Sequence, residues 1–226
     1  MNNLRKFSTE ADYSAATLNY PAVSWVTATD NVYFNKTAPT PTMLGDLKIT
    51  YNVTSTSEPT TLFSGGGSGS GSGSGSEFAP SKMWVDGVEI GNISNQYQFS
   101  TTGDHIVEYS LDYGQIADKA FKETPCMKDV EIGSGVTSIG EYAFNWCTIT
   151  SCTIGSSVTS IGQMAFDDCT NLISVTCLPT IPPSLPSGSF NNNASGRKIY
   201  VPSASVEDYK AANGWYELSV DIEPIS

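Results

Sequence analysis

The sequence is poor in histidine and in basic residues, and it has no long apolar run. One His stands among 226 residues, and 11 Lys and Arg against 23 Asp and Glu give a formal net charge of -12. A field of this sign repels nucleic acid and anionic membrane surfaces. No stretch reaches the roughly 18 consecutive apolar residues of a transmembrane helix. We therefore expect no nucleic-acid partner and no membrane insertion, and any charged partner should be basic.

Cysteine is scarce and unevenly placed. The five Cys residues all lie between Cys126 and Cys177, whereas a disulfide framework typically uses an even number spread through a small domain. No C-x-x-C pair occurs, and the single His is distant in sequence. Zinc sites need such clusters. The sequence thus predicts free, mostly buried thiols and no metal site.

Motifs of catalysis are also missing. The sequence has neither the paired carboxylates of a glycosidase nor a nucleophile elbow, and its Gly-rich stretch lacks the Lys of a phosphate loop. To act as a base, His105, in the strand-like segment DHIVEYSL, would need to lie near a nucleophile and be held by a third group. We interpret it as a strand residue half exposed at a sheet edge. The prediction is a non-enzymatic protein without a cofactor.

The first part of the chain is predicted to be a small α+β docking module at residues 1–36. Thr9 can cap a short helix, and residues 23–27 and 32–34 read as the two strands of a hairpin. Because a module of this size buries little apolar surface by itself, we expect it to dock on a larger structure. Residues 37–45 form a Pro-containing connector.

Residues 46–112 alternate between apolar and polar positions as strands do, and predict a small β-sandwich-like domain. The predicted strands are 47–53, 60–63, 82–85, 88–90, 97–99 and 105–111. Inside this segment lies a Gly/Ser stretch at residues 64–76, which we predict to be a flexible surface loop. Its strict alternation also resembles a laboratory linker, and both origins remain open.

Residues 113–226 contain sequence repeats. The segment VEIGSGVTSIGEYAFNWCT at 130–148 aligns without gaps with CTIGSSVTSIGQMAFDDCT at 152–170, an offset of 22 residues. Upstream, YGQIADKAFKETPC is a degenerate copy, in which Ile116, Ala120, Phe121 and Cys126 take the corresponding places to within a residue or two. Downstream, VTCLPTIPPSLPSGSF supplies a second partial copy, and IYVPSASVEDYKAANGW closes the array. The period of these copies predicts a solenoid.

Each repeat predicts a short strand, a turn, a second apolar element at SIG, and a short helical turn around the Ala-Phe pair. One copy cannot bury its own Ile and Phe, but stacked copies bury both. We therefore expect a narrow parallel sheet and a buried ladder of Phe rings. Cys147 and Cys169 recur at the repeat period and are interpreted as small apolar members of a second ladder.

The repeats resemble the BspA-like branch of leucine-rich repeats, whose copies read VTSIG, then AF, then C, then L. The copies VTSIGEYAFNWC and VTSIGQMAFDDCTNL match this pattern, and the ending resembles the terminal cap of that family, which Trp215 would close. The resemblance implies a binding module of the kind found in bacterial surface adhesins and in proteins of phages that infect gut Bacteroidetes. It carries no catalytic residues.

The amino-terminal segments NLRKF, YPAVSWV and NVYF are similar to the start of structural proteins of such phages. This resemblance implies a fibre, spike or decoration component of a virion. Its first module would bind other virion proteins, and its repeats would bind a host-surface protein or glycan, with avidity from a homo-oligomer. No apolar segment of a secretory signal follows the first basic residues. The alternative is a fragment of a bacterial cell-surface adhesin.

The candidate binding surface lies on the rim of the predicted solenoid. Aromatic and acidic residues there sit beside the apolar repeat positions, and such aromatics stack on sugar rings or anchor a protein partner. For Trp146 the alternative is that it covers the helical turn. Asp167 and Asp168 form an acidic turn that lacks the ligand count of a calcium loop. The candidate residues are Glu141, Tyr142, Trp146, Asp167 and Asp168.

Overall fold

A computed structural model describes residues 45–64 and 78–225. The chain divides into two units, Met1–Thr42 and Met43–Ser226, and all described residues belong to the second. The predictions for the docking module at 1–36, for nearly all of the connector at 37–45, and for the Gly/Ser stretch after Ser64 lie outside the described residues. On either side of that stretch, the rings of Phe63 and Phe78 are in edge contact with centroids 5.2 Å apart.

The described residues are mainly β, as predicted. The strands are β1 Leu47–Val53, β2 Thr60–Thr61, β3 Lys82–Val85, β4 Val88–Glu89, β5 Gln96–Tyr97, β6 Gly103–Ser110, β7 Gln115–Ile116, β8 Met127–Ile132, β9 Ser138–Ile139, β10 Ser151–Ile154, β11 Ser160–Ile161, β12 Ser174–Cys177, β13 Lys198–Val201 and β14 Ile222–Pro224. Helix α1 is Val206–Ala211, and Ser203–Ser205 and Tyr216–Asp221 are 3-10 helices.

One sheet of nine strands organises the unit, in the order β14-β13-β12-β10-β8-β1-β6-β3-β4. Strands β8, β10, β12, β13 and β14 are parallel neighbours, one from each successive coil of the chain. Alternate residues of these strands are buried, as in Cys152 and Ile154 of β10. The parallel sheet predicted from the repeats is therefore present.

The strands of residues 46–112 continue the sheet of the repeats. Strand β1 pairs antiparallel with β8 on one side, with Leu47 opposite Ile132, and with β6 on the other, with Leu47 opposite Tyr109. The predicted boundary between residues 112 and 113 is thus no break in the sheet. Among the strands described in residues 46–112, β2 and β5 alone pair apart from this sheet, as a two-stranded ribbon. The alternation of apolar and polar residues identifies a strand, but it does not show which other strand pairs with it.

A second, narrow sheet runs along the repeats at the SIG motif. Strands β7, β9 and β11 are parallel and have two residues each. The glycine of this motif is required by close packing between coils. A Cβ atom built on Gly162 would lie 2.5 Å from the backbone nitrogen of Glu141 and from the carbonyl carbon of Gly140.

The core of the repeats is a ladder of four phenylalanine rings. Neighbouring rings have centroids 5.1 Å apart and planes within 7° of parallel. This spacing is close to the distance between adjacent strands of a sheet, as expected when each ring belongs to the next coil. The predicted ladder is confirmed, and its members are Phe121, Phe144, Phe166 and Phe190.

Aromatic residues close the ladder at both ends. Phe78 meets the ring of Phe121 edge-on with centroids 4.7 Å apart. Trp215 is fully buried 6.2 Å from Phe190, and its indole nitrogen donates a hydrogen bond to the carbonyl oxygen of Pro183 at 2.7 Å. The predicted closure by Trp215 is therefore what the structure shows.

The segment around the Ala-Phe pair is not the predicted helical turn. Two residues four positions apart have positive φ, 56° at Tyr142 and 61° at Trp146, and this conformation interrupts a helix. Phe144 donates its N–H to the carbonyl oxygen of Ala165 in the next coil at 2.8 Å. The segment forms separate turns instead of a helical turn: Asn145 donates its N–H to the carbonyl of Tyr142 at 3.2 Å, while the N–H groups between such local bonds donate to the next coil.

The cysteines are free, and all except Cys126 are buried. The interpretation as purely apolar packing is incomplete, because Cys147 and Cys169 each donate an S–H hydrogen bond at 3.0 Å to the carbonyl of the preceding coil's Phe. Asn193 makes the same bond, to Phe166, at 2.8 Å. The residue in this place of the upstream copy is Thr124, two positions before the predicted Cys126.

His105 differs from its interpretation as a half-exposed residue at a sheet edge. It lies on β6, between β1 and β3, and is 9% exposed. Its Nδ1 is 2.7 Å from Oδ2 of Asp86, and its Nε2 is 3.0 Å from the carbonyl oxygen of Thr101. The hairpin turn after β3 brings the Asp86 carboxylate to the ring, and the hydrogen bond to Asp86 raises the pKa of His105.

Candidate functional site

Each coil turns a corner at two residues of positive φ, four positions apart. We name the two resulting rows the first and second corner columns. The first corner column is Lys119, Tyr142, Met164 and Gly188. The second corner column is Glu123, Trp146, Asp168 and Asn192.

Hydrogen bonds between coils hold the second corner column in register. The N–H of Glu123 donates to the carbonyl of Asn145 at 2.8 Å, and that of Trp146 donates to Asp167 at 3.1 Å. The N–H of Asp168 donates to the next coil in the same way, at 3.1 Å. Consecutive members of the column therefore stand about 4.8 Å apart along the stack.

Trp146 is the exposed aromatic of this corner. Its residue surface is 61% exposed, whereas Phe144, two positions before it, is fully buried. A side chain this exposed does not cover the turns of its own segment, so the alternative interpretation of Trp146 does not hold. A large side chain at positive φ is uncommon, and such strained positions are often functional.

Tyr142 occupies the first corner column of the same coil and is half buried. The Nζ atom of Lys122 lies 5.9 Å from the centre of its ring, within cation–π distance. Lys122 also forms an exposed ion pair with Glu123 at 3.3 Å. The ring of Tyr142 is thus already in contact with a cation of the same chain, the ammonium group of Lys122.

The two aspartates of the next coil have different environments. Asp167 is 9% exposed, and the Nδ2 of Asn145 lies 3.0 Å from its backbone carbonyl and 3.4 Å from its carboxylate. Burial, followed by the charge of Asp168, raises the pKa of Asp167. Asp168 is half buried. Within the described ranges, no group of three or more His, Cys, Asp or Glu could hold a metal ion.

Glu141 lines a different surface, a shallow open groove of about 250 Å³ along the second sheet. Its backbone N–H donates to the carboxylate of Asp118 at 2.8 Å. The lining residues belong to β7, β9, β11 and the residues after each strand, and do not include Trp146. The structure therefore groups Tyr142, Trp146, Asp167 and Asp168 at the corner and leaves Glu141 in the groove.

Comparison with known families identifies the repeats. Residues 93–212, more than half of the chain, match the family described as BspA type leucine rich repeat region, in six copies. The chain belongs to the BspA-type leucine-rich repeat family. The match begins upstream of residue 113, where the first partial copy was predicted, and therefore includes β5 and β6. A search of curated proteins found no match.

Two residues of the BspA-type corner were missed from the sequence. Glu123 precedes Trp146 in the second corner column, and Lys122 contacts the tyrosine of the first. Aligning Phe121 directly with Phe144 would have placed Glu123 opposite Trp146. Matching Phe121 and Cys126 together, to within a residue or two, leaves the register of this copy loose and hides both residues.

The family match leaves residues 1–92 outside it. The resemblance of residues 1–36 to phage structural proteins therefore stays a prediction. Among the described residues of this BspA-type chain, no helix has the length and apolar character that crossing a membrane requires.

Proposed function

We propose that this chain is a non-enzymatic structural and adhesion protein of a phage virion, as a fibre, spike or decoration component. Its repeats bind a protein or glycan of the host surface, or a neighbouring subunit. Membership in the BspA-type family supports the coarser statement, that the repeats form a binding module. The similarity of residues 1–36 to phage structural proteins supports the virion.

The observation that carries the binding role is the exposed Trp146 on a backbone held by hydrogen bonds from coil to coil. Tryptophan is enriched among the residues that dominate binding energies. A side chain fixed on stacked coils loses little conformational entropy when a partner covers it. Asp168 beside it adds polar and charged contacts at the rim.

The proposal divides the work between two parts of the chain. Residues 1–36 attach the protein to other virion proteins, and the repeats face outward. Several copies on one particle convert a weak site into strong attachment, because each later binding event is intramolecular. We accordingly propose a homo-oligomer, which light scattering on the purified full chain would measure.

The experiment that tests the proposal is quantitative mass spectrometry of phage particles purified on a density gradient from the source culture. The tryptic peptide 199–210, IYVPSASVEDYK, is well suited as a reporter. We expect this peptide at the abundance of structural proteins and co-migrating with the particles. Its absence from particles, together with enrichment in the host surface fraction, would overturn the virion assignment.

A second candidate function is a bacterial cell-surface adhesin. The family match favours it to the same degree, because that match concerns the repeats and leaves residues 1–92 aside. In this alternative the repeats keep their binding role, but the protein is displayed on a bacterial cell instead of on a phage particle. Immunogold labelling of intact uninfected cells separates the two, since an adhesin labels the cell surface in the absence of phage.

A further inference from the structure

One coil carries an aromatic residue in the second corner column where its neighbours carry acidic or amide residues. Trp146 stands between Glu123 and Asp168, and the next member is Asn192, all with φ between 54° and 61°. Asn and Asp tolerate this backbone conformation well, and a bulky residue does not. The exposed indole therefore adds little to folding, and its coil could carry Asn at the same backbone geometry.

Acidic residues precede and follow Trp146 in the second corner column. Glu123 lies one coil before Trp146 and Asp168 one coil after it, each at about the spacing of adjacent strands. No ion pair among the described residues includes Asp168, and the partner of Glu123, Lys122, is itself exposed to solvent. The charge of Asp168 contributes to raising the pKa of Asp167. The indole face therefore lies in a negative local field.

A cation–π contact between residues of the chain itself already exists in the coil that contains Trp146. The Lys122 ammonium lies 5.9 Å from the ring centre of Tyr142. No Lys or Arg of residues 45–64 and 78–225 lies over the Trp146 ring in this way. Indole is the most favourable of the aromatic faces for a cation.

We propose that Trp146, with Glu123 and Asp168, binds an arginine side chain presented by a basic polypeptide segment of the partner. The guanidinium stacks on the indole while its N–H groups donate to one of the carboxylates. This inference rests on the proposed function, because it names the partner chemistry of the same binding surface.

Charge favours a basic polypeptide over a neutral glycan. The chain has 11 Lys and Arg against 23 Asp and Glu, so its averaged field attracts cations. Arginine combines a planar face for the ring with a fork of donors for the carboxylate, and it is less strongly hydrated than lysine. A neutral sugar could also stack on the indole and donate its hydroxyl protons to the carboxylates, but it would gain no attraction from the net negative charge.

The test is fluorescence anisotropy of the full chain with a labelled, glycine-spaced peptide of three arginines. The same peptide with citrulline is the neutral, planar comparison. We expect the arginine peptide to bind more tightly, and Trp146→Asn to weaken it about tenfold. Asp168→Asn should weaken it about two- to fivefold. Asn fits positive φ at either position, so both variants should keep the fold.

The matched control is Tyr216→Asn in the 3-10 helix Tyr216–Asp221. Tyr216 is also a strongly exposed aromatic, 54% exposed, and its hydroxyl lies 3.2 Å from the carboxylate of Glu217. This variant should leave arginine-peptide binding unchanged. Equal loss in Tyr216→Asn and Trp146→Asn, or no loss in either, would reduce the binding to net charge and overturn the proposal.

A glycan array separates the failure of this inference from the failure of the proposed function. If the chain binds a neutral oligosaccharide through Trp146 and ignores the arginine peptide, the arginine assignment is wrong and the adhesion role stands. The particle mass spectrometry is independent of both results, because it reports only where the protein resides.

Discussion

The ring of Phe144 lies face to face with the ring of Phe166, with centroids 5.1 Å apart and planes 7° from parallel. Both rings are fully buried, and each belongs to a different coil. This ring contact therefore packs one repeat against the next, and the stability of the stack depends on it.

We expect Phe166→Ala to lower the free energy of unfolding by about 3–5 kcal/mol, because it removes a buried ring and leaves a cavity between two rings. Phe166→Leu should cost less, since it keeps apolar volume at the site. Urea unfolding followed by far-UV circular dichroism measures both. Trp146→Asn is the control on an exposed aromatic, and it should not lower the free energy of unfolding, because Asn tolerates the positive φ better than Trp does. Equal losses for Phe166→Ala and Trp146→Asn would contradict the ladder.

The two nitrogens of His105 both face acceptors, the carboxylate of Asp86 and the carbonyl of Thr101. A protonated ring donates to both of these acceptors, and the hydroxyl of Thr101 lies 3.3 Å from Nε2 as well. The hydrogen bond to Asp86 is the main cause that raises the pKa of His105, with smaller contributions from Thr101 and from the charges of Asp86 and Asp104. A raised pKa means that the folded state binds the proton more tightly than the unfolded state does.

The resulting stability is fully present below the unfolded pKa of about 6.5 and is lost as the pH rises through the higher folded pKa. We expect the urea midpoint of the wild-type chain, relative to that of His105→Gln, to fall between pH 5.5 and pH 8.5. Other groups titrate equally in the two proteins, so the difference isolates His105. A difference that is constant across this range would show that folding leaves the pKa of His105 unchanged, and a difference that rises with pH would show that the ring is neutral when folded.

Gly162 fixes the distance between two coils at the second sheet. A Cβ atom there would lie 2.5 Å from backbone atoms of the preceding coil, which cannot move as a side chain can. Gly162→Ala should therefore destabilise the chain by about 1–3 kcal/mol. Gly91→Ala is the matched control, because a Cβ at Gly91 meets nothing within 4 Å. Thermal unfolding of the two variants side by side gives the comparison.

The thiols should differ in reactivity by burial. Burial raises the pKa of Cys169 and of Cys177 to about 12, and Cys147 and Cys152 are also buried with raised pKa values. Only the thiolate reacts with a disulfide reagent. We expect the partly exposed Cys126 to react first under native conditions at pH 8, and the other four only on unfolding. Rapid native labelling of Cys169 would contradict the buried hydrogen bond to Phe144.

The sequence predicts the repeat core well because the pattern that defines it is periodic. Phe144 and Phe166 occupy matched positions, and burying one requires stacking it on the other. The strands follow for the same reason, and the mainly β class with them. The closing of the cap by Trp215 was implied by the resemblance of the ending to the terminal cap of the family, and its burial follows from the open end of the ladder that it covers.

The features that could not be predicted from the sequence depend on contacts with residues distant in the chain. Alternation marks β1 as a strand, but nothing in it indicates pairing with β8 rather than within a separate sandwich. The environment of His105 is created by a hairpin turn nineteen positions before it. The positive φ of Trp146 is imposed by hydrogen bonds to the next coil, whereas local propensity alone favoured a helical turn. Trp146 could therefore be chosen as a candidate binding residue from its residue type, but its exposure could be seen only in the structure.

The closing of the Phe ladder by Phe78 at one end and Trp215 at the other has a genetic consequence. Neither closing residue belongs to the pair of full repeats, so an in-frame duplication of 22 residues adds a coil between unchanged ends and lengthens the stack by about 4.8 Å. Recombination between the nearly identical VTSIG segments would produce such duplications. Length, and with it the number of corner positions open to variation, can therefore evolve in whole coils while both ends stay as they are.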